Sequence, residues 1–272
     1  MHRSPKRDEA ASAKPVARVA LFFAITLAFT WSLQLPAVLA LRGVLPGRVE
    51  RFMPLLGLGG FGPMVAAMVL ARGEPGGLRG LFSQLRRWNA NPAWYVAALL
   101  LPAVIISGGL MLLRLVGIYD GPLFFPPNDA QRVVALFLFP FIEEIGWRGY
   151  ALPRLQRVWS PLTASLVIGA VWAIWHVCML LVQGVPVSLF LPMIPYFLGG
   201  SVVFTWFFNR AGASLPAALL LHVGAHLDNA HRVLPGETRP FYVATVGFVL
   251  AAIGLVALDR KAWASRRLAA VH

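Results

Sequence analysis

The chain alternates between long apolar runs and short polar or charged connections. Eight apolar runs stand out, at roughly 18–41, 53–72, 94–117, 131–152, 161–182, 187–208, 213–230 and 240–258. Each run is close to the ~20 residues that a helix needs to cross a bilayer, and each is continuous, whereas barrel strands alternate apolar and polar positions. Because lipid offers the backbone no hydrogen-bond partners, the pattern predicts an all-α polytopic membrane bundle of about eight transmembrane helices.

The ends of the chain differ from its middle. Residues 1–17 and 259–272 are basic and polar, and we expect them to be tails on either side of a helical domain at 18–258. The first apolar run is longer than the ~7–15-residue core of a signal peptide, so we expect it to remain as a membrane helix. The stretch from Gly73 to Asn91 mixes arginines with leucines, which indicates an amphipathic helix along the membrane surface.

Composition supports an integral membrane protein. The chain is 58% hydrophobic and only 13% charged, against about 25% charged residues in soluble domains. The net charge is +13, but most of the 24 Lys and Arg residues lie in short connections and at the ends. This distribution is typical of topology signals and of contacts with anionic membrane lipids, and it does not indicate nucleic-acid binding. The positive-inside rule predicts both termini in the cytoplasm. We expect the membrane to be the plasma (inner) membrane.

Away from the ends of the apolar runs, six ionisable residues interrupt the second half of the chain. They are Glu143, Glu144 and Arg148 in the fourth run, His176 in the fifth, and His222 and His226 in the seventh. An unpaired charge inside a membrane costs at least ~2.5–3.5 kcal/mol on insertion scales, so such residues are candidates for function by default. We therefore expect the functional core at about residues 131–230.

Spacing predicts which of these side chains share a helix face. Glu144 and Arg148 are four residues apart and can pair, whereas Glu143 is rotated by one residue and faces elsewhere. Residues 222 and 226 are also four apart, so both imidazoles point to one side. Counted from the cytoplasmic ends of the runs, Glu143, His222 and His176 lie about 10, 14 and 22 Å deep. Such depths predict one pocket that opens to the cytoplasm.

Carboxylates and imidazoles in one pocket can hydrolyse an amide without a serine or cysteine nucleophile. A glutamate beside a histidine can take a proton from water, and an arginine can hold a second glutamate ionised. A further imidazole can donate a hydrogen bond to the oxyanion of a tetrahedral intermediate. Cys178, the single cysteine, lies two residues from His176 and faces another way, which favours a role as a small core hydrophobe.

The same residues form motifs that resemble a known family. Glu143-Glu144-x-x-x-Arg148 resembles the EExxxR signature of the CAAX prenyl protease and bacteriocin-processing family, also called Abi. The eight-helix layout agrees with that family.

Two further motifs follow in the family's order. Trp172-x-x-x-His176 is similar to a motif in which an aromatic residue precedes a histidine by four positions, with Trp where Phe is usual. His222-x-x-x-His226 occupies the place of the family's His-x-x-x-Asn motif. Three motifs in the right order within membrane helices make the resemblance fairly specific.

The resemblance implies glutamate-dependent intramembrane proteolysis. The substrate would be a membrane-associated peptide or protein, lipidated or not, and the reaction would need no metal or other cofactor. By the family's pattern, Glu143 and His176 would activate water, while Glu144 and Arg148 would orient the site.

The third motif departs from the family's pattern. His222 and the residue at position 226 would stabilise the oxyanion, but position 226 is His where the family usually has Asn. A neutral imidazole can donate one hydrogen bond, as an amide can, so the role can survive. Asn229 would be the true counterpart only if the helix were locally distorted.

Three other functions remain open at this point. A zinc-dependent membrane protease could use His176, His222, His226 and Glu143 as ligands, although the chain has no H-E-x-x-H motif. A non-enzymatic scaffold or immunity protein would use the same residues only for structure or binding. A transporter would explain polar residues near mid-membrane, although no repeated pair of broken segments is visible.

Overall fold

The computed structural model describes residues 5–227 and 237–264, and these residues form an α-helical bundle, as the sequence predicts. The described helices are α1 (Pro5–Leu41), α2 (Met53–Gly59), α3 (Gly62–Ala71), α4 (Gly77–Ser83), α5 (Pro92–Leu115), α6 (Ala130–Gly146), α7 (Leu152–Leu155), α8 (Pro161–Trp175), α9 (Val177–Val182), α10 (Phe190–Arg210), α11 (Leu215–Leu227), α12 (Arg239–Leu258) and α13 (Arg260–Ala264). A single π-helical turn, Trp147–Ala151, joins α6 to α7.

Membrane-spanning helices dominate the described part of the chain. Six segments are long and apolar enough to cross a bilayer: Pro15–Leu41, Val49–Ala71, Pro92–Leu115, Pro161–Val182, Val187–Arg210 and Arg239–Leu258. The protein is therefore an integral membrane protein. The predicted fourth and seventh spans fall on α6 and α11, which have 17 and 13 residues and are not among the six. These two helices carry the glutamate pair and two of the histidines, so the count of eight spans stays a prediction.

Side-chain caps mark where three helices begin. The side chains of Asn91, Asp129 and Ser160 accept hydrogen bonds from backbone N–H groups in the first turns of α5, α6 and α8, at 2.9, 2.7 and 3.2 Å. Such caps satisfy N–H groups that have no partner within the helix. Pro92 and Pro161 stand at the start of α5 and α8, where the missing N–H costs nothing. Local sequence thus sets where two of the site-bearing helices, α6 and α8, start.

Small residues allow the site-bearing helices to approach their neighbours. A Cβ placed on Gly146, at the end of α6, would lie 2.5 Å from Pro63 Cβ of α3. A Cβ on Gly224 of α11 would overlap the backbone carbonyl of Leu99 in α5. Close contacts of this kind are typical of membrane helix interfaces, where packing rather than the hydrophobic effect holds helices together.

Helix α1 covers one side of the functional core. Its buried Phe22 packs against Trp147 and Tyr150 of the π-helical turn, with ring centroids 5.5 and 5.4 Å apart. Its buried Thr30 accepts a hydrogen bond of 2.7 Å from the indole of Trp175 at the end of α8. The first membrane helix therefore holds α6 and α8 in a fixed relation to each other.

Three further predictions can be compared with the structure. The stretch from Gly73 to Asn91 contains the short helix α4, which buries Leu81 and exposes Arg79; its place at the membrane surface stays a prediction. Cys178 is buried, as expected for a core residue. Asn229 and parts of both predicted tails lie outside the described residues.

Candidate active site

Glu144 links the two helices that carry most of the predicted site residues. Its Oε1 accepts a hydrogen bond from Arg148 Nη1 at 2.7 Å and another from His222 Nδ1 at 2.9 Å. The side chains of Glu144 and Arg148 are fully buried. A buried charge is strongly destabilising without a partner, and Arg148 supplies that partner for a Glu144 carboxylate. The contact to His222 then joins α6 to α11.

Glu143 faces a different helix. Its Oε2 accepts a hydrogen bond of 2.9 Å from the indole N–H of Trp172 in α8, and only 3% of the residue is exposed. Adjacent residues on a helix point about 100° apart, which separates the partners of the two glutamates. Glu143 is thereby held toward α8, while Glu144 is held toward α11.

His176 lies at the junction between α8 and α9, one turn after Trp172. Its Nδ1 is 2.8 Å from the backbone carbonyl oxygen of Trp172. A carbonyl oxygen can only accept, so Nδ1 carries the proton and, in the neutral ring, Nε2 is left as an acceptor. The ring packs edge-on to Trp175, with centroids 4.6 Å apart, and at 4.7 Å from Phe197 of α10. His176 is thus oriented as a group that can accept a proton through Nε2.

Aromatic rings surround the buried polar groups. The guanidinium carbon of Arg148 lies 4.3 Å from the ring centroid of Phe204 and 5.2 Å from that of Trp172. The ring of His222 packs edge-on to the same two rings, at 5.4 and 5.7 Å. Aromatic faces attract a cation and exclude water, which strengthens the ion pair in the centre.

His226 lies next to His222 on α11, with ring centroids 5.0 Å apart, and it is half-buried. The structure therefore brings together all six predicted site residues, from α6, the π-helical turn, the α8–α9 junction and α11. Trp172 is at the centre of the arrangement, because it contacts Glu143, Arg148, His176 and His222.

The π-helical turn presents Arg148 to the site. A π-helical turn is wider than an α-helical one and is frequently found at functional sites. The buried side chain of Gln84 donates a hydrogen bond of 3.0 Å from Nε2 to the backbone carbonyl of Gly149, in the middle of the turn. Gln84 thereby holds the turn from the direction of α4.

A second polar cluster holds the far end of the π-helical turn. Glu74 Oε1 accepts hydrogen bonds from Arg18 Nη1 and from the Tyr150 hydroxyl, both at 2.8 Å, and the Glu74 carboxylate is also paired with Arg154. Burial raises the pKa of Glu74, but its bonds to Arg154, Tyr150 and Arg18 outweigh burial and leave the pKa below its ordinary value of 4.5. Through this cluster, α1, the connection after α3, and α7 all contact the π-helical turn.

Several buried polar atoms of the site make no hydrogen bond within the described part of the chain. They are Glu144 Oε2 and the Nε and Nη2 atoms of Arg148. Leaving such groups without a partner is costly, and native proteins usually do so only for a reason. Glu144 Oε2 can therefore accept a further hydrogen bond, and Arg148 Nε and Nη2 can donate further hydrogen bonds, in addition to those that the fold already uses.

The described site residues are not arranged as a metal-binding site would require. Across residues 5–227 and 237–264, no three His, Cys, Asp or Glu side chains are grouped so that they could hold a metal ion. Glu144 and His222 are instead hydrogen-bonded to each other, and Glu143 accepts a hydrogen bond from the indole of Trp172.

Sequence reasoning missed two residues that contact the site directly or hold it. Trp172 entered only as the aromatic member of a motif, and Gln84 was not considered. The position of Trp172, four residues before His176, places both on one helix face, and a buried indole N–H usually finds an acceptor. That signal was available in the sequence. Nothing in the sequence around Gln84 indicated its contact with Gly149.

Comparisons with known proteins agree with the motifs. Residues 130–227, which contain all six predicted site residues, match the family model described as Type II CAAX prenyl endopeptidase Rce1-like. The chain is also 26% identical to a protein named CAAX prenyl protease 2 from Methanococcus maripaludis, over 61% of this chain and 65% of the relative. The match thus spans just under two thirds of the relative's length.

Proposed function

We propose that this protein, whose residues 130–227 match the Type II CAAX prenyl endopeptidase Rce1-like model, is an intramembrane glutamate endopeptidase. The observation that carries the proposal is the buried arrangement of two adjacent glutamates with separate partners. Glu144 is bound to Arg148 and His222, and Glu143 is bound to Trp172. The motif residues on which the resemblance rests are thus the residues that make these buried contacts.

The two glutamates would have different roles because their partners differ. Among the described residues, no positively charged group is hydrogen-bonded to Glu143, so its carboxylate suits a general base. It would take one proton from a water molecule, assisted by Nε2 of His176, as the water oxygen attacks the peptide carbonyl carbon. Glu144 would remain ionised, because Arg148 compensates its charge, and it would position His222.

The contact between Glu144 and His222 defines how His222 could stabilise an oxyanion. Nδ1 donates to the Glu144 carboxylate, so only Nε2 is available to a reacting oxygen. Donation from Nε2 requires a protonated ring, and a carboxylate bound at Nδ1 stabilises that imidazolium. When the intermediate collapses, the C–N bond breaks and the proton held by Glu143 passes to the leaving amine. The products are a carboxylic acid and an amine, which ionise to a carboxylate and an ammonium group at neutral pH, and Glu143 returns to its starting state.

We further propose the substrate and the setting of the reaction. The substrate would be a membrane-associated peptide, including one that ends in a lipidated cysteine motif, since the relative is named a CAAX prenyl protease. The site would open toward the cytoplasm, with both termini on that side of the plasma membrane, as the Lys and Arg distribution favours. Reporter fusions to each terminus would test the orientation.

The direct test compares membranes that contain the wild-type protein with membranes that contain Glu143→Gln. New peptide termini are identified by mass spectrometry, and synthetic peptides with and without a farnesyl group are assayed for cleavage. We expect wild-type-dependent cleavage that Glu143→Gln lowers by at least ~10²-fold, the usual contribution of a general base. The matched control is Glu50→Gln, because Glu50 is exposed and far from the site in the chain.

Three results would count against the proposal. Equal cleavage by wild type and Glu143→Gln would exclude a glutamate mechanism. Loss of cleavage on treatment with a metal chelator, restored by zinc, would favour the zinc-dependent alternative. If a biological phenotype of the protein survives Glu143→Gln unchanged, the phenotype arises from a scaffold or binding role instead.

A further inference from the structure

An apolar groove lies between α8, α10 and α12. Its volume is about 660 Å³, and its lining includes Leu166, Leu198, Val202, Ile253, Val256 and, as the one charged residue, Arg260. Ile253 is 59% exposed and Leu166 is 39% exposed, although both lie in segments that are apolar enough to cross a membrane. The groove therefore opens sideways, toward the hydrocarbon of the bilayer.

The groove is separate from the candidate active site. Helix α10 lies between the two: Phe197 and Phe204 pack against the site histidines, while Leu198 and Val202 line the groove. At about 100° per residue, positions 197 and 204 lie on one face of the helix and positions 198 and 202 lie well round from it. A molecule in the groove would not contact the reacting groups.

The dimensions of the groove match one leaflet of a membrane. Its lining on α12 runs from Val249 to Ala257, which is about 12 Å at 1.5 Å per residue, and Arg260 follows three residues later at the start of α13. The hydrocarbon core of a bilayer is about 30 Å thick, so one leaflet contributes about 15 Å. An acyl chain that fills the groove would place its headgroup at the level of Arg260.

The groove ends at a positive charge, Arg260, which suits an anionic headgroup. Arg260 is exposed and forms no ion pair with another described residue. The nearby Arg210, by contrast, is bound to the carboxylate of Asp259, so its charge is already compensated. An available guanidinium at headgroup depth attracts an anionic phosphate.

We propose that this groove is a binding site for one anionic phospholipid. The acyl chain would lie along α10 and α12, and the phosphate would bind Arg260. The site is independent of the proposed peptidase chemistry, because it uses a different face of α10.

The test uses the full-length protein, purified in detergent, stripped of lipid and titrated with phosphatidylglycerol or phosphatidylcholine. Native mass spectrometry counts the bound lipids. We expect one tightly bound phosphatidylglycerol and a preference for it over phosphatidylcholine. Arg260→Gln should weaken phosphatidylglycerol binding by roughly five- to tenfold and remove the preference. Ile253→Trp, which fills the groove, should lower binding of both lipids.

Matched controls lie beside both test positions. Lys261→Gln removes an exposed charge next to Arg260, and Leu250→Trp adds bulk at an exposed position of α12 that does not line the groove. Neither should change lipid binding. The proposal is overturned if Lys261→Gln weakens binding as much as Arg260→Gln, because the attraction is then diffuse. It is also overturned if Ile253→Trp changes the oligomeric state and not the lipid count, because the groove is then a protein interface.

Discussion

Trp172 donates its indole N–H to Glu143 Oε2 across 2.9 Å, and this bond connects the helix that ends at His176 to the helix that carries the glutamate pair. A phenylalanine at the same position would retain the ring contacts with His176 and His222 but could not make this bond. The hydrogen bond is therefore a feature of this chain that the aromatic character of the motif does not explain. It fixes where the proposed general base points.

Replacing Trp172 with Phe separates the hydrogen bond from the packing. A hydrogen bond to a charged group is worth about 1.5–3 kcal/mol, which corresponds to a loss of roughly 10- to 150-fold in kcat if the bond orients Glu143 during catalysis. We expect KM to change little, because the ring remains. Steady-state kinetics on a cleaved peptide measure both values. Trp88→Phe, at an exposed position, is the control, and an unchanged kcat in Trp172→Phe would exclude a positioning role for the indole.

The departure at His226 leads to a second prediction. If the residue at this position donates a hydrogen bond to the oxyanion beside His222, His226→Asn should keep or raise kcat, because an amide N–H can take the same role. His226→Leu removes the donor and should lower kcat by about 10²- to 10³-fold. Cleavage rates of the two variants are compared on the same peptide. Equal rates for Asn and Leu would remove His226 from the reaction.

The Glu74 cluster predicts a pH dependence of stability. The pKa of Glu74 is below its ordinary value of 4.5 in the folded protein, so folding favours the ionised form. Its contribution to stability is fully present above about pH 4.5 and is lost as the pH falls through the lower, folded-state pKa. Thermal unfolding of wild type and Glu74→Gln in detergent should therefore differ most at neutral pH, and the two curves should converge in acid. A difference that grows as the pH falls would show the opposite linkage.

The contact between α6 and α3 predicts an unequal effect of two similar substitutions. Gly146→Ala places a methyl group 2.5 Å from Pro63 Cβ, and overpacking of this kind typically costs ~1–3 kcal/mol. Gly57→Ala adds the same atom where no other group lies within 4 Å, so it should be neutral or slightly stabilising. Unfolding of both variants by heat or denaturant measures the difference. Equal stability would mean that α6 can move away from α3 without cost.

Sequence reasoning was most successful where one helix determines the geometry. The pair between Glu144 and Arg148 follows from their spacing, and it is present at 2.7 Å. The all-α membrane fold and the family resemblance also follow from local patterns. The bond between Glu144 and His222 did not follow, because spacing along a chain does not define how one helix is rotated against another. For the same reason the partner of Glu143 was missed, and the six catalytic assignments stay predictions.

The π-helical turn between α6 and α7 makes the length of this stretch as important as its composition. Gln84 holds the Gly149 carbonyl and Glu74 holds the Tyr150 hydroxyl, so both anchors are matched to a turn with one residue more than an α-helix would use. Deleting one residue here would convert the turn to a regular helix and rotate everything that follows by about 100°. Tyr150 and Arg154 would then lose their contacts with Glu74, although all residues of the motifs would still be present. Among homologous chains, gaps should therefore be rare between the glutamates and Arg154, even where the residues themselves vary.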